Sequence, residues 1–135
     1  MFFKKDKNIN NDFSKVAALL IHAAKIDENF SKGEETIIKQ ALLQIGVNDK
    51  NLEKIFLDGK KIEENSNQIL EFTKEVKNMS EENKIKIIEA LWRIIYSNKK
   101  ADIFEANLMR RLAGLLYVDS KTMGYIKEKI IKENS

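Results

Sequence analysis

The segment SEENKIKIIEALWRII, Ser80 to Ile95, decides the fold. Ile85, Ile87, Ile88, Leu91, Trp92, Ile94 and Ile95 put apolar side chains on nearly every side of a helix, and a helix so covered must be surrounded by others. Ser80 opens it as a candidate N-cap, and Trp92 reads as core. The stretches around it carry narrower stripes. Phe13, Val16, Ala17, Leu20, Ile21 and Ala24 recur at helical spacing and predict a helix over about 12–26. Ile37, Ile38, Ala41, Leu42 and Ile45 predict a second over 32–45, with Gly46 as a left-handed C-cap. Asn48 caps a third with Leu52, Ile55 and Phe56, which Gly59 weakens and which ends near Lys61. A fourth rests on Ile69, Phe72, Thr73, Val76 and Met79, with Asn65 and Gln68 as its capping box. The sixth, 103–116, carries Leu108, Met109, Leu112, Leu115 and Leu116. The seventh follows Asp119 with Met123, Ile126 and Ile130. The expectation is an all-α chain of about seven helices, one domain over 12–135, preceded by a flexible tail over 1–11.

Composition agrees. In 135 residues there are no prolines and five glycines, too few for a many-turned β-sandwich. No cysteine and a single histidine, His22, exclude a disulfide scaffold, a thiolate zinc site and a histidine metal cluster. The net charge of +3 comes from 24 basic and 21 acidic residues, and lysine alternates with glutamate along most segments. A nucleic-acid binder concentrates its positive charge, so nucleic acid is not the expected partner. Lys4, Lys5 and Lys7 ahead of the apolar 16–24 imitate a signal peptide, but Asp6 and Asp12 interrupt the basic region. No run approaches the roughly 18 apolar residues of a membrane span. A cytoplasmic location without a transmembrane segment is expected.

Laying each residue over the one 71 positions later aligns the first three helices with the last three without a gap. Leu20 meets Leu91, Glu34 meets Glu105, Ala41 meets Leu112, Val47 meets Val118 and Ile55 meets Ile126. Two three-helix repeats, about 12–61 and 83–132, joined by a linking fourth helix, predict approximate two-fold symmetry. The loops after helices one and five would then be equivalent. They carry Asp27, Asn29, Ser31 and Glu34 in one copy, and Asn98, Asp102 and Glu105 in the other. Asp27, Asn29 and Ser31 alternate like the start of a calcium loop, but Lys32 stands where a glycine must turn and Ile38 where a carboxylate must close it. Ser31 with Glu34, and Asp102 with Glu105, are also sufficient as capping boxes. A divalent-cation site remains the other reading and requires Asp27, Glu34, Asp102 and Glu105 to converge.

The Ala-x-x-Asp turn, the capping Ser31 or Asp102 and the Glu opening the next helix, repeated around Glu89-Ala90-Leu91-Trp92-Arg93, resemble the TerB-like family of tellurite-resistance-associated proteins. Ala18-Leu19-Leu20-Ile21 and Asn107-Leu108-Met109-Arg110-Arg111-Leu112-Ala113 are similar to segments of its small stand-alone bacterial members. The resemblance runs from about Phe13 to Ile131. It implies a helical module tied to tellurite resistance and membrane-associated stress response, acting by protein interaction or divalent-metal binding, with no catalytic mechanism. Glu28 and Lys99 replace the family's turn glycine, and Asn98 its second turn aspartate, which weakens an ion site through charge.

The residues bear this out at the level of chemistry classes. There is no phosphate-binding glycine loop and no dinucleotide fingerprint. His22 is expected to be exposed, off the apolar stripe; Arg110 and Arg111 are expected on an outer face; and Met79, Met109 and Met123 are expected to fill the core. The leading expectation is a non-enzymatic module with a protein partner and weak divalent-cation binding at the acidic loops. The alternatives are a structural scaffold with no ion site and a hydrolase using Glu34 and Glu105 as a carboxylate pair.

Overall fold

The computed structural model describes the backbone of residues 2–25, 32–65, 70–97 and 103–133, and the side chains of 13–25, 32–65, 71–97 and 107–133. Among the described residues there are seven helices and no strand: α1 (Phe2–Ala24), α2 (Lys32–Gln44), α3 (Asp49–Glu64), α4 (Leu70–Lys77), α5 (Glu81–Ser97), α6 (Ile103–Leu115) and α7 (Ser120–Glu133). Local chemistry sets their ends. Asn48 and Ser80 are N-caps whose side chains accept from Lys50 N–H and Asn83 N–H, each at 3.2 Å, and Asp119 accepts from Thr122 N–H at 2.6 Å.

The C-terminal turns of α2 and α6 are the same Schellman motif. After α2, Val47 N–H bonds Leu42 O at 3.0 Å and Gly46 N–H bonds Leu43 O at 3.2 Å. After α6, Val118 N–H bonds Ala113 O at 2.9 Å and Tyr117 N–H bonds Gly114 O at 3.4 Å. Gly46 and Tyr117 have φ of 114° and 58°, both in the left-handed region. These residues stand 71 positions apart, as do the starts of α2 and α6 and of α3 and α7. Burial follows the same spacing: Leu20 and Leu91, Ala41 and Leu112, Ile45 and Leu116, and Ile55 and Ile126 are all core.

One apolar cluster joins the helices. α5 packs against α1, α2 and α7, as its all-round apolar pattern requires. α1 is enclosed still further, by α2, α3, α4 and α5, and every residue from Val16 to Ile21 is buried. The stripe reading understated this helix: Ala18 and Leu19, off the stripe, are fully buried because helices pack on more than one side of α1.

Three expectations about helix ends are corrected. α1 begins at Phe2, ten residues before the expected start at Asp12, so 2–11, read as a tail, are helical; no proline or glycine stands in 2–24 to end the helix. α3 runs through Gly59 to Glu64. Asn65 is not the N-cap of α4 but the C-cap of α3, its N–H bonded to Lys61 O at 3.1 Å.

Candidate functional site

Glu34 sits in the first turn of α2, where unpaired helix N–H groups favour negative charge, and it is only 1% exposed. A carboxylate so far from water needs donors or a cation around it. Asp27 and Asp102 lie outside the described residues, as do the capping boxes proposed at Ser31 and Asp102. Glu105 falls in the first turn of α6, and its side chain is also outside them. Glu34 thus supplies one hard oxygen donor of the kind calcium or magnesium takes, and a cation needs several more. Among the described residues no group of three or more histidine, aspartate or glutamate side chains is placed to hold a metal ion.

A second buried carboxylate was missed in the sequence. Glu63, in the last turn of α3, is 9% exposed and accepts from Lys25 Nζ at 2.7 Å and faces His22 Nδ1 at 3.2 Å. His22 was expected to be exposed; it is half-buried between Glu63 and Phe72, whose ring centroid lies 6.4 Å from its own. α4 lies over this face of α1, with Lys15 paired to Glu75 at 3.3 Å, and that neighbour cannot be read from the spacing within α1.

The third charged centre ties α5 to α7. Lys129 Nζ is 2.6 Å from Glu89 Oε2, and one turn further Arg93 donates from Nε and Nη2 to both oxygens of Glu133, at 2.9 and 3.0 Å. The i,i+4 spacing of Glu89 and Arg93 on one helix matches that of Lys129 and Glu133 on the other. The Glu133 carboxylate holds the Arg93 guanidinium above its ordinary value, and Arg93 in turn holds Glu133 below the usual carboxylate range. The hydrogen bond to Glu89 raises Lys129. Beside this pair lies a cleft of about 250 Å³ lined by Ile37, Gln40, Ala41 and Gln44 of α2 together with Arg93 and Glu133.

Trp92 is core, as expected, stacked on Tyr96 at 5.9 Å between centroids, with Lys127 Nζ 5.4 Å from its ring. Among the described residues its indole N–H meets no hydrogen-bond acceptor. Arg110 and Arg111 are exposed, and Met109 and Met123 are buried. No helix among the described residues is long and apolar enough to cross a membrane.

No curated protein and no solved structure matches the chain. The family model described as tellurite resistance protein TerB matches residues 13–128, which run from the buried half of α1 into α7 and take in Glu34, the Glu63 centre and Glu89. With most of its length matched and its described residues all helical, the chain belongs to the TerB family.

Proposed function

We propose that this chain is a non-enzymatic, cytoplasmic TerB-family module that serves tellurite resistance and the associated stress response through contact with a protein partner at its acidic loop end, where it also holds a divalent cation weakly. The observation that carries this reading is the burial of Glu34 at the start of α2. The sequence just ahead of that helix carries Asp27 and Asn29, so the chain concentrates oxygen-bearing residues before the buried carboxylate. Calcium, magnesium and zinc are hard or borderline cations that accept such oxygens. Asp27, Asp102 and Glu105 are the proposed companions of Glu34, and the partner, which is membrane-associated in this reading, meets the same end.

The cation is tested by thermal melting with each metal at millimolar concentration, because ligation of the native state stabilises it by mass action. The melting temperature should rise for the wild type and not for Glu34→Gln. No rise in the wild type removes the cation from the proposal. Pull-down with a Glu105→Lys variant then tests the partner: unchanged capture places the contact on another helix face and favours the plain scaffold.

A further inference from the structure

The Arg93 cleft shares no residue with the acidic site proposed above, and it goes beyond that reading. Arg93 has five N–H donors on a planar fork. Two bond Glu133, and among the described residues it makes no other hydrogen bond. Arg93 and Glu133 line the 250 Å³ cleft together with the exposed Gln40 and Gln44 and with the aliphatic Ile37 and Ala41 of α2. Glu133 is the last helical residue of α7, with its side chain 45% exposed. The end of a helix frays readily, so its carboxylate is the part of this site most easily displaced.

We propose that the cleft between α2, α5 and α7 is a docking site for an acidic side chain of a partner polypeptide, which Glu133 occupies in the free protein as a built-in competitor. The bidentate Arg93–Glu133 pair displays the recognition geometry, since a planar fork selects a carboxylate held in its own plane. Gln40 and Gln44 supply neutral donors and acceptors to the partner backbone beside that carboxylate. The half-buried Ile37 takes its methylenes. Exchange of one carboxylate for another leaves the charge balance of Arg93, Lys129, Glu89 and the cleft unchanged, so the incoming acid meets no uncompensated negative charge once Glu133 swings away.

The test uses acetyl-glutamate-N-methylamide, whose only ionisable group is the side-chain carboxylate, titrated into the full chain while NMR follows the Arg93 Nε–H and the Gln40 and Gln44 carboxamides. Weak binding that shifts these signals is expected for the wild type. Glu133→Gln removes the competitor and should tighten binding by roughly fivefold, the scale of an exposed ion pair. Arg93→Gln should abolish it. The neutral acetyl-glutamine-N-methylamide should leave the signals in place. Equal binding by the neutral probe, no tightening in Glu133→Gln, or inorganic phosphate binding Arg93 as strongly as the acid would each overturn the proposal. Glu133→Gln keeps a helix-compatible side chain, so the competitor arm holds even if Arg93→Gln unfolds.

Discussion

Gly59 of α3 stands so close to Ala17 of α1 that a Cβ built on the glycine would lie 2.6 Å from the alanine's own Cβ. It would also meet Ser14 O at 3.0 Å and Ala18 N at 3.1 Å. The glycine that looked like a helix weakener is therefore the residue that allows two helix backbones to meet. Its propensity cost of about 1 kcal/mol is offset by the contact it permits. Gly59→Ala should destabilise by about 1–3 kcal/mol in denaturant unfolding, because the backbone atoms of Ser14 and Ala18 cannot yield as a flexible side chain would. Adding Ala17→Gly should recover only part of that loss, since it clears the methyl and leaves the backbone contacts with Ser14 and Ala18.

Glu63 gives a second measurable cost. Its carboxylate is buried and meets two side chains of α1, Lys25 and His22. Removing the acceptor strips both of their contact with α3, so Glu63→Ala should cost about 1–3 kcal/mol. Lys25→Met removes a partner that is itself 45% exposed and should cost under about 1 kcal/mol. Equal losses from the two variants would mean that the Lys25 ion pair carries the whole effect and that the His22 contact adds nothing.

Tyr117 occupies the left-handed position that Gly46 holds after α2, and it pays the steric penalty of a Cβ there. Its ring, 70% exposed overall, lies under Lys77 Nζ at 4.5 Å, a contact between the end of α4 and the α6–α7 turn. Releasing the strain by Tyr117→Gly should stabilise the chain by about 1 kcal/mol in a Lys77→Met background. With Lys77 present the gain should shrink by about 0.5 kcal/mol, the value of an exposed cation–π contact. A gain that is the same in both backgrounds would remove the energetic role of Lys77.

These three sites mark where sequence reasoning reached and where it stopped. The helices were legible because each carries its own apolar spacing, and their starts at Asn48, Ser80 and Asp119 because a cap is a local side-chain bond. The turn at Gly46 was legible for the same reason, and its twin at Tyr117 was hidden by a residue that does not advertise a positive φ. Gly59, His22 and Glu63 were misread or missed because their roles depend on helices roughly forty positions away in the chain. Of the candidate site, only Glu34 has its side chain among the described residues, and its burial is a tertiary fact: the capping pattern Ser-x-x-Glu predicts a side chain at a helix start without saying how deeply the core encloses it.

The pH dependence of stability follows from four shifted groups. Asp119 is held low by Thr122 N–H, and Glu133 by the Arg93 fork. Both bind protons less readily folded than unfolded, so each contributes stability that is present above the unfolded values of about 3.9 and 4.3 and is lost as pH falls through the lower folded ones. Lys39, raised first by its hydrogen bond to Glu53, and Lys129, raised by Glu89, act in the opposite sense. Their contributions are complete below about 10.4 and disappear as pH climbs through the higher folded values. Melting temperature should therefore be flat between these limits and fall on either side. Asp119→Asn keeps an N-cap of similar strength while removing a titrating group, so it should leave neutral stability nearly unchanged and make the acid limb shallower. Combining it with Glu133→Gln should flatten that limb further and leave the alkaline limb essentially in place; an acid limb that is as steep in the double variant as in the wild type would assign it to other carboxylates.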